Sequence, residues 1–146
     1  MSCCCGAQGG CCGCLSYPQQ YQLVVSGITD GTDCDVCNEI YNGTFTLTKV
    51  VGLCIWQSSP DVFGCGGFGP AWGLNCDPAS GFWYLGANAD NSNVCARYRK
   101  AIGFWSCLGS NTLDLITDDP DCVYPPPHPP AATCGGWPAT MTVVPI

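Results

Sequence analysis

Cysteine carries most of the chemistry in this chain: 15 of its 146 residues are Cys. A thiol can form a disulfide, ligate a metal or act as a nucleophile in exchange. Cys3, Cys4, Cys5, Cys11, Cys12 and Cys14 crowd the first 14 residues, and glycine fills much of the space between them. The other nine are Cys34, Cys37, Cys54, Cys65, Cys76, Cys95, Cys107, Cys122 and Cys134. Apart from the first two they are spread along the chain. Zinc sites gather their ligands in close pairs with a second pair downstream. Even spreading is the pattern of staples between strands and loops, each contributing roughly 3 kcal/mol for a closed loop of about 15 residues. Cys34-Asp35-Val36-Cys37 is the one C-x-x-C among the nine. A redox pair would open a helix after a strand, whereas this pair sits in an Asp-rich loop. No second C-x-x-C follows it, so its two thiols are expected to bridge to different partners.

The first six cysteines leave four arrangements open. Adjacent cysteines do not bridge one another easily, so Cys3, Cys4 and Cys5 should reach separate partners. These are a local knot with Cys11, Cys12 and Cys14, the body of the domain, or a neighbouring subunit. The fourth arrangement is a thiolate cluster on these six residues, holding structural zinc or an iron–sulfur centre. Composition favours disulfides over metal. With 15 cysteines, seven internal bridges leave one thiol over. A leftover thiol points to an intermolecular bond or a free reactive group.

Other side chains offer less. His128 is the one histidine and lies inside Pro-Pro-Pro-His-Pro-Pro with no nucleophile nearby in sequence, so it reads as a spacer. Asp30, Asp33 and Asp35 form one acidic turn, and Asp118, Asp119 and Asp121 form another. Calcium favours oxygen-rich loops, but neither spacing is that of an EF-hand, and solvated turns are expected. Glu39 is the single glutamate, and no carboxylate pair for glycoside cleavage stands out. Trp56, Trp72, Trp83, Trp105 and Trp137 would make either a sugar-stacking platform or core packed beside cystines, and core is favoured for most. Asn42-Gly43-Thr44 is a formal glycosylation acceptor, but Asn-Gly reads more strongly as a hairpin turn. The expectation is a non-enzymatic protein.

These residues must be positioned by short strands. The segment 21–28 is β-branched and aromatic. Thr44 to Val50 alternates strictly, with Phe45, Leu47 and Lys49 on one face and threonines on the other. Lys49 is expected at a sheet margin. Further strands are predicted at 53–56, 72–76, 82–85, 112–116 and 140–146, with 77–81 as a five-residue turn. The span 95–107 reads as one or two strands, with a short helix over 94–100 as the minority reading. Residues 124–130 are polyproline-like. Seven to nine short strands at about ten-residue spacing predict an all-β antiparallel sandwich or barrel-like domain. It would be disulfide-rich, spanning 17–146, preceded by a coil-like cysteine-rich segment over 1–16.

Charge narrows the partners. Four Lys and Arg against 11 Asp and Glu give a net charge of −7, too few cations for a nucleic-acid surface or a polybasic membrane anchor. Residues 1–7 carry no basic n-region and no apolar run. With so many cysteines, the expected destination is a virion or the extracellular space, with both chain ends tied down.

Cys-Cys-Gly-Cys, a strand ending Val-Ser-Gly, then Asn-Gly-Thr-Phe-Thr-Leu-Thr and a Trp-and-Cys series resemble small cysteine-rich proteins of uncharacterised function in aquatic bacteria and their phages. The resemblance implies a β-structured accessory or virion component and carries no catalytic residue. The expected role is therefore a structural protein of an extracellular assembly. A phage virion subunit of the capsid-decoration, baseplate or tail-surface kind fits best, with other subunits as partners in a homo-oligomer or hetero-assembly. An extracellular carbohydrate-binding module is the alternative, and a metal-cluster protein the third reading.

Overall fold

The computed structural model describes residues 14, 16–30, 41–59, 71–87, 96–118 and 134–146. Ten strands follow one another: β1 (Gln20–Val25), β2 (Thr29–Asp30), β3 (Gly43–Lys49), β4 (Ile55–Gln57), β5 (Trp72–Asp77), β6 (Phe82–Ala87), β7 (Ala96–Ala101), β8 (Asn111–Asp118), β9 (Cys134–Gly135) and β10 (Thr140–Pro145). Eight of them close into an antiparallel barrel in the order β1-β10-β8-β7-β6-β5-β4-β3, and β2 pairs with β9 as a separate ribbon. The protein is all-β, and of the two architectures the sequence allowed it adopts the barrel. Closure depends on β1, which pairs with β3 through Val25↔Gly43 and with β10 through Leu23↔Val143. The C-terminus is held at the same seam, where the Ile146 N–H donates to the Gln20 carbonyl at 3.1 Å.

Alternation decides which side chains fill the barrel. Tyr21, Leu23 and Val25 point inward from β1, Trp72, Leu74 and Cys76 from β5, and Trp83, Leu85 and Ala87 from β6. On β3 the split is as the alternation predicts: Leu47 is buried, Phe45 packs against the core, and Thr44, Thr46 and Thr48 are exposed. An eight-stranded barrel is just wide enough for side chains to fill or for one small ligand to occupy. Here aromatic rings fill it. Trp56, Trp72, Trp83, Tyr21, Tyr41 and Tyr98 are all fully buried. The register sets Ala87 between Trp72 and Ala96, so a large ring lies beside two small residues and the layer fits.

Two ring clusters occupy the two ends. One joins Tyr17, Tyr21, Trp56, Trp83 and Trp105, with Trp83 stacked on Trp105 at 3.9 Å between centroids and 4° between planes. The other joins Tyr41, Phe45, Trp72, Tyr98 and Trp137. Polar ring atoms tie distant segments together. Trp56 Nε1 donates to the Pro18 carbonyl at 2.9 Å, and the Tyr98 hydroxyl donates to that of Pro138 at 2.8 Å.

Three sequence expectations are corrected. Asn42-Gly43 is not a hairpin turn: Gly43 opens β3, and the Asn42 amide grips Ile28, accepting from its N–H at 3.0 Å and donating to its carbonyl at 2.7 Å. That amide serves as a surrogate strand partner. The helical reading of 94–100 fails over 96–100, which form β7. The outward Arg97 and Arg99 alternate there with the buried Ala96 and Tyr98, and a single 3₁₀ turn, Ile102–Phe104, follows. Leu53 and Cys54 belong to the turn before β4 rather than to the strand.

One glycine is fixed by contact as well as by conformation. Gly136 has φ of +74°, and a Cβ there would run into the Gly27 carbonyl oxygen. Gly136→Ala is expected to destabilise by about 2 kcal/mol or more, beyond the usual cost of a left-handed alanine. Gly27→Ala, at φ +90° with open space around it, should cost less. Urea midpoints of the two variants check the order.

Tyr21 makes the barrel alkali-sensitive. Burial raises its hydroxyl to about 12. The neighbouring Trp105 indole opposes part of the rise without reaching hydrogen-bonding geometry, and Tyr17 adds to it. Below pH 10 the residue is neutral in both folded and unfolded chains. Between 10 and about 12 only the unfolded chain ionises, so up to roughly 2–3 kcal/mol of stability is lost across that window. Denaturation midpoints through this range should fall more steeply for the wild type than for Tyr21→Phe.

Candidate functional site

The barrel has two unlike ends. Chain direction alternates around it, so the connections 31–42, 58–71, 88–95 and 119–139 all join strands at one end, called the loop end here. The connections 50–54, 78–81 and 102–110 are short and lie at the other end, where β1 begins and β10 finishes. Cys14, Cys54, Cys76 and Cys107 all belong to this second end, and all four are disulfide-bonded. It is the cystine end.

Cys14 pairs with Cys107 at a Cα–Cα distance of 5.7 Å, across 93 residues of sequence. The bond fastens the entry to β1 onto the turn between β7 and β8. Cys14 is buried, and its N–H donates to the Tyr17 hydroxyl at 3.1 Å. The turn is shaped by Asn111, a buried side chain that accepts from the Ser106 N–H at 2.6 Å and donates to the Ser106 carbonyl at 2.9 Å. The Ser106 hydroxyl accepts from the Gly109 N–H at 3.1 Å. Cys107 and Leu108 are thus held at the apex of a pinned loop. Cys54, in the turn before β4, lies beside Cys76 of β5, whose N–H donates to the Cys54 carbonyl at 3.2 Å.

Exposed apolar side chains concentrate here too. Of the eight large ones among the described residues, Val51, Leu53, Phe104, Leu108 and Ile146 stand at the cystine end. Val51 is 96% exposed, Leu108 91% and Phe104 79%. Scattered exposed apolar residues are ordinary; these five share one end of the barrel. Sequence reading missed these five because neither a strand nor a turn reveals which of its apolar residues stay exposed without the fold.

The predicted site residues divide sharply. Cys14 belongs to the barrel, and its sulfur is committed to Cys107, so it is no ligand of the thiolate cluster in which the sequence placed it. Cys3, Cys4, Cys5, Cys11, Cys12, Cys34, Cys37, Cys65, Cys95 and Cys122 lie outside the described residues, as do His128, Asp33, Asp35, Glu39, Asp119, Asp121 and the polyproline run. Cys134 stands on the β2–β9 ribbon. Trp56, Trp72 and Trp83 are fully buried, Trp105 is 7% exposed and Trp137 packs against the core, so the indoles are core and not a stacking platform. Asn42 spends both amide atoms on Ile28. No three His, Cys, Asp or Glu side chains converge as a ligand set among the described residues.

A shallow cleft of about 380 Å³ opens where β1 and β10 diverge towards the loop end, lined by Gln22, Val24, Ser26, Thr140, Thr142 and Val144. It holds no titratable side chain. No helix among the described residues is long and apolar enough to cross a membrane. No protein-family model, curated protein or solved structure matches the chain.

Proposed function

We propose that this protein is a non-enzymatic structural subunit of an extracellular assembly, a phage virion component in the first instance, and that the cystine end is where it attaches. The observation that carries the reading is the coincidence of four disulfide-bonded cysteines with five exposed apolar side chains on one end of a solid barrel. A rigid body suits a decoration, baseplate or tail-surface part. Cystines fix the geometry of the end, and the apolar residues supply area for a neighbour to bury. Residues 1–13, which carry five more cysteines, directly precede Cys14, and Cys14 is bonded at this end. Carbohydrate binding draws no support from indoles packed inside the barrel.

The test is the size of the oxidised full chain in solution, with and without Phe104→Asp/Leu108→Asp. Wild type should form multimers, and the double variant should shift towards monomer while keeping its melting transition, since both side chains are exposed. A wild-type chain that stays monomeric at all concentrations, alone and with the other proteins of its assembly, would overturn the reading.

A further inference from the structure

The barrel closes along β1 and β10, and that seam is incomplete. Antiparallel strands aim the backbone groups of alternate residues at alternate neighbours. Even-numbered residues of β1 face β10: the Gln20 carbonyl accepts from the Ile146 N–H, while that of Gln19 accepts from the Lys49 N–H of β3. Ala139, just before β10, gives its carbonyl to the Leu115 N–H of β8, so the even-numbered residues of β10 face β1. The ladder between the two strands runs from Tyr21↔Pro145 to Leu23↔Val143 and stops. Continued in the same register, it would set Val24 opposite Thr142 and Ser26 opposite Thr140. Neither pair forms. Ser26 and Thr140 keep their backbone N–H and carbonyl groups without a partner among the described residues.

The gap is bounded at both ends. Past it, Gly27 turns out of β1 at φ +90° and meets Gly136, and β2 pairs with β9 just beyond through Thr29↔Gly135. Between Leu23↔Val143 and the Gly27–Gly136 contact lie three residues, 24–26, on one side and six, 137–142, on the other. The unequal lengths keep the strands apart and frame a window, the cleft of about 380 Å³. That volume is at the small end of ligand sites. The buried Val25 and Met141 line it as well as the exposed rim. Exposed sheet edges are commonly blunted with charged side chains, and none lines this one.

We propose that this window takes a short, extended, uncharged peptide segment of a partner protein by strand addition. What stands unmatched at its rim is backbone donors and acceptors, and the group that complements them is another extended backbone. The three residues on the β1 side set the length, so about three residues of the guest lie inside and its flanks leave outward. Guest side chains facing in meet Val25 and Met141, and those facing out lie beside Val24 and Val144. A charged guest residue would find no counter-charge among the lining side chains and is excluded by its desolvation cost. The window is on the barrel wall towards the loop end, away from the cystine end. This contact is therefore a second one, independent of the attachment proposed there.

A bead library of end-capped random heptapeptides, screened against the oxidised full chain, tests it, with amide hydrogen exchange as the structural readout. Bound sequences should share three consecutive uncharged residues. The tightest should slow exchange at the Ser26 and Thr140 amides about tenfold or more. N-methylation within its three central amides should weaken binding about tenfold or more, since each methyl leaves a buried group unpaired. Ser26→Pro and Thr140→Pro each delete one unpaired donor of the rim and no ladder bond. Each should weaken binding to a similar degree with an unchanged melting transition. If a proline variant fails to fold, the N-methylated peptides and the exchange data decide alone. A library without a binder, or a binder indifferent to N-methylation, would overturn the window. So would a binder lost only in Phe104→Asp/Leu108→Asp, which would place it at the cystine end. Ser26 and Thr140 amides already slow to exchange in the peptide-free chain would overturn it too. Slowing at every concentration would assign the window to the chain's own segments, and slowing only at high concentration to a second copy.

Discussion

Trp83→Ala is expected to lower the unfolding free energy by about 3–5 kcal/mol, the range for truncating a large buried aromatic. Trp83 is fully buried, stacked on Trp105 and in contact with Trp56 and Tyr17. It therefore joins three sequence-distant segments at the cystine end. Removing it leaves a void that the flanking strands cannot close, because their register is fixed on both sides by β5 and β7. A double-mutant cycle with Trp105→Ala should return a coupling of about 0.5–1.5 kcal/mol for the stack beyond buried area. Phe104→Ala is the control. It changes the residue adjacent to Trp105, but one that is 79% exposed, and it should move stability by no more than about 0.5 kcal/mol. Denaturant midpoints at neutral pH measure all three. Equal losses for Phe104 and Trp105 would contradict the packing described.

The second large effect concerns the Cys14–Cys107 bond. The double replacement Cys14→Ala/Cys107→Ala is expected to cost about 2–5 kcal/mol. A closed loop of 93 residues would by chain entropy alone approach the upper figure, and other bridges that already shorten the unfolded loop pull the value down. Replacing both cysteines matters, since a single change would leave a new thiol free to exchange with its neighbours. Loss should be largest at the cystine end. Hydrogen exchange should show the 102–110 turn and the residues before β1 losing protection before the β5–β6 hairpin does. Uniform loss across the barrel would mean that the bond stabilises the fold globally and does not organise this end.

How far the sequence could be read depended on the range of the interaction. Strict alternation in 44–50 made β3 visible, because a half-buried strand writes its two faces into a period of two. Asp77 to Gly81 announced its own turn, and the structure shows why. The Asp77 side chain accepts from the Ala79 N–H at 3.2 Å, and Gly81 takes φ of +83°. Asn42-Gly43 misled because the same dipeptide that favours a tight turn also offers an amide to distant backbone, and Ile28, just before β2, claimed it. β7 was ambiguous because Ala, Arg and Lys are good helix formers. Its pairing with both β6 and β8 overrode that preference. Barrel and sandwich share the same local pattern. Only the meeting of the first and last barrel strands, more than a hundred residues apart, distinguishes them.

The site was legible in kind and not in place. Cysteine spacing pointed to staples, yet nothing local indicated that Cys14 would leave its crowded neighbours for Cys107. The gathering of Val51, Leu53, Phe104, Leu108 and Ile146 on one end follows from three separate stretches of chain turning at the same end of the barrel.

The central claim is that the cystine end attaches this subunit to its neighbours. Disulfide mapping by mass spectrometry, on the unreduced full chain in its assembled form, tests it most directly. The account predicts Cys14 linked to Cys107 within one chain, and at least one bond joining two chains through Cys3, Cys4, Cys5, Cys11 or Cys12. Seven bridges all within a single chain, with the fifteenth cysteine a free thiol in the assembled form, would contradict it.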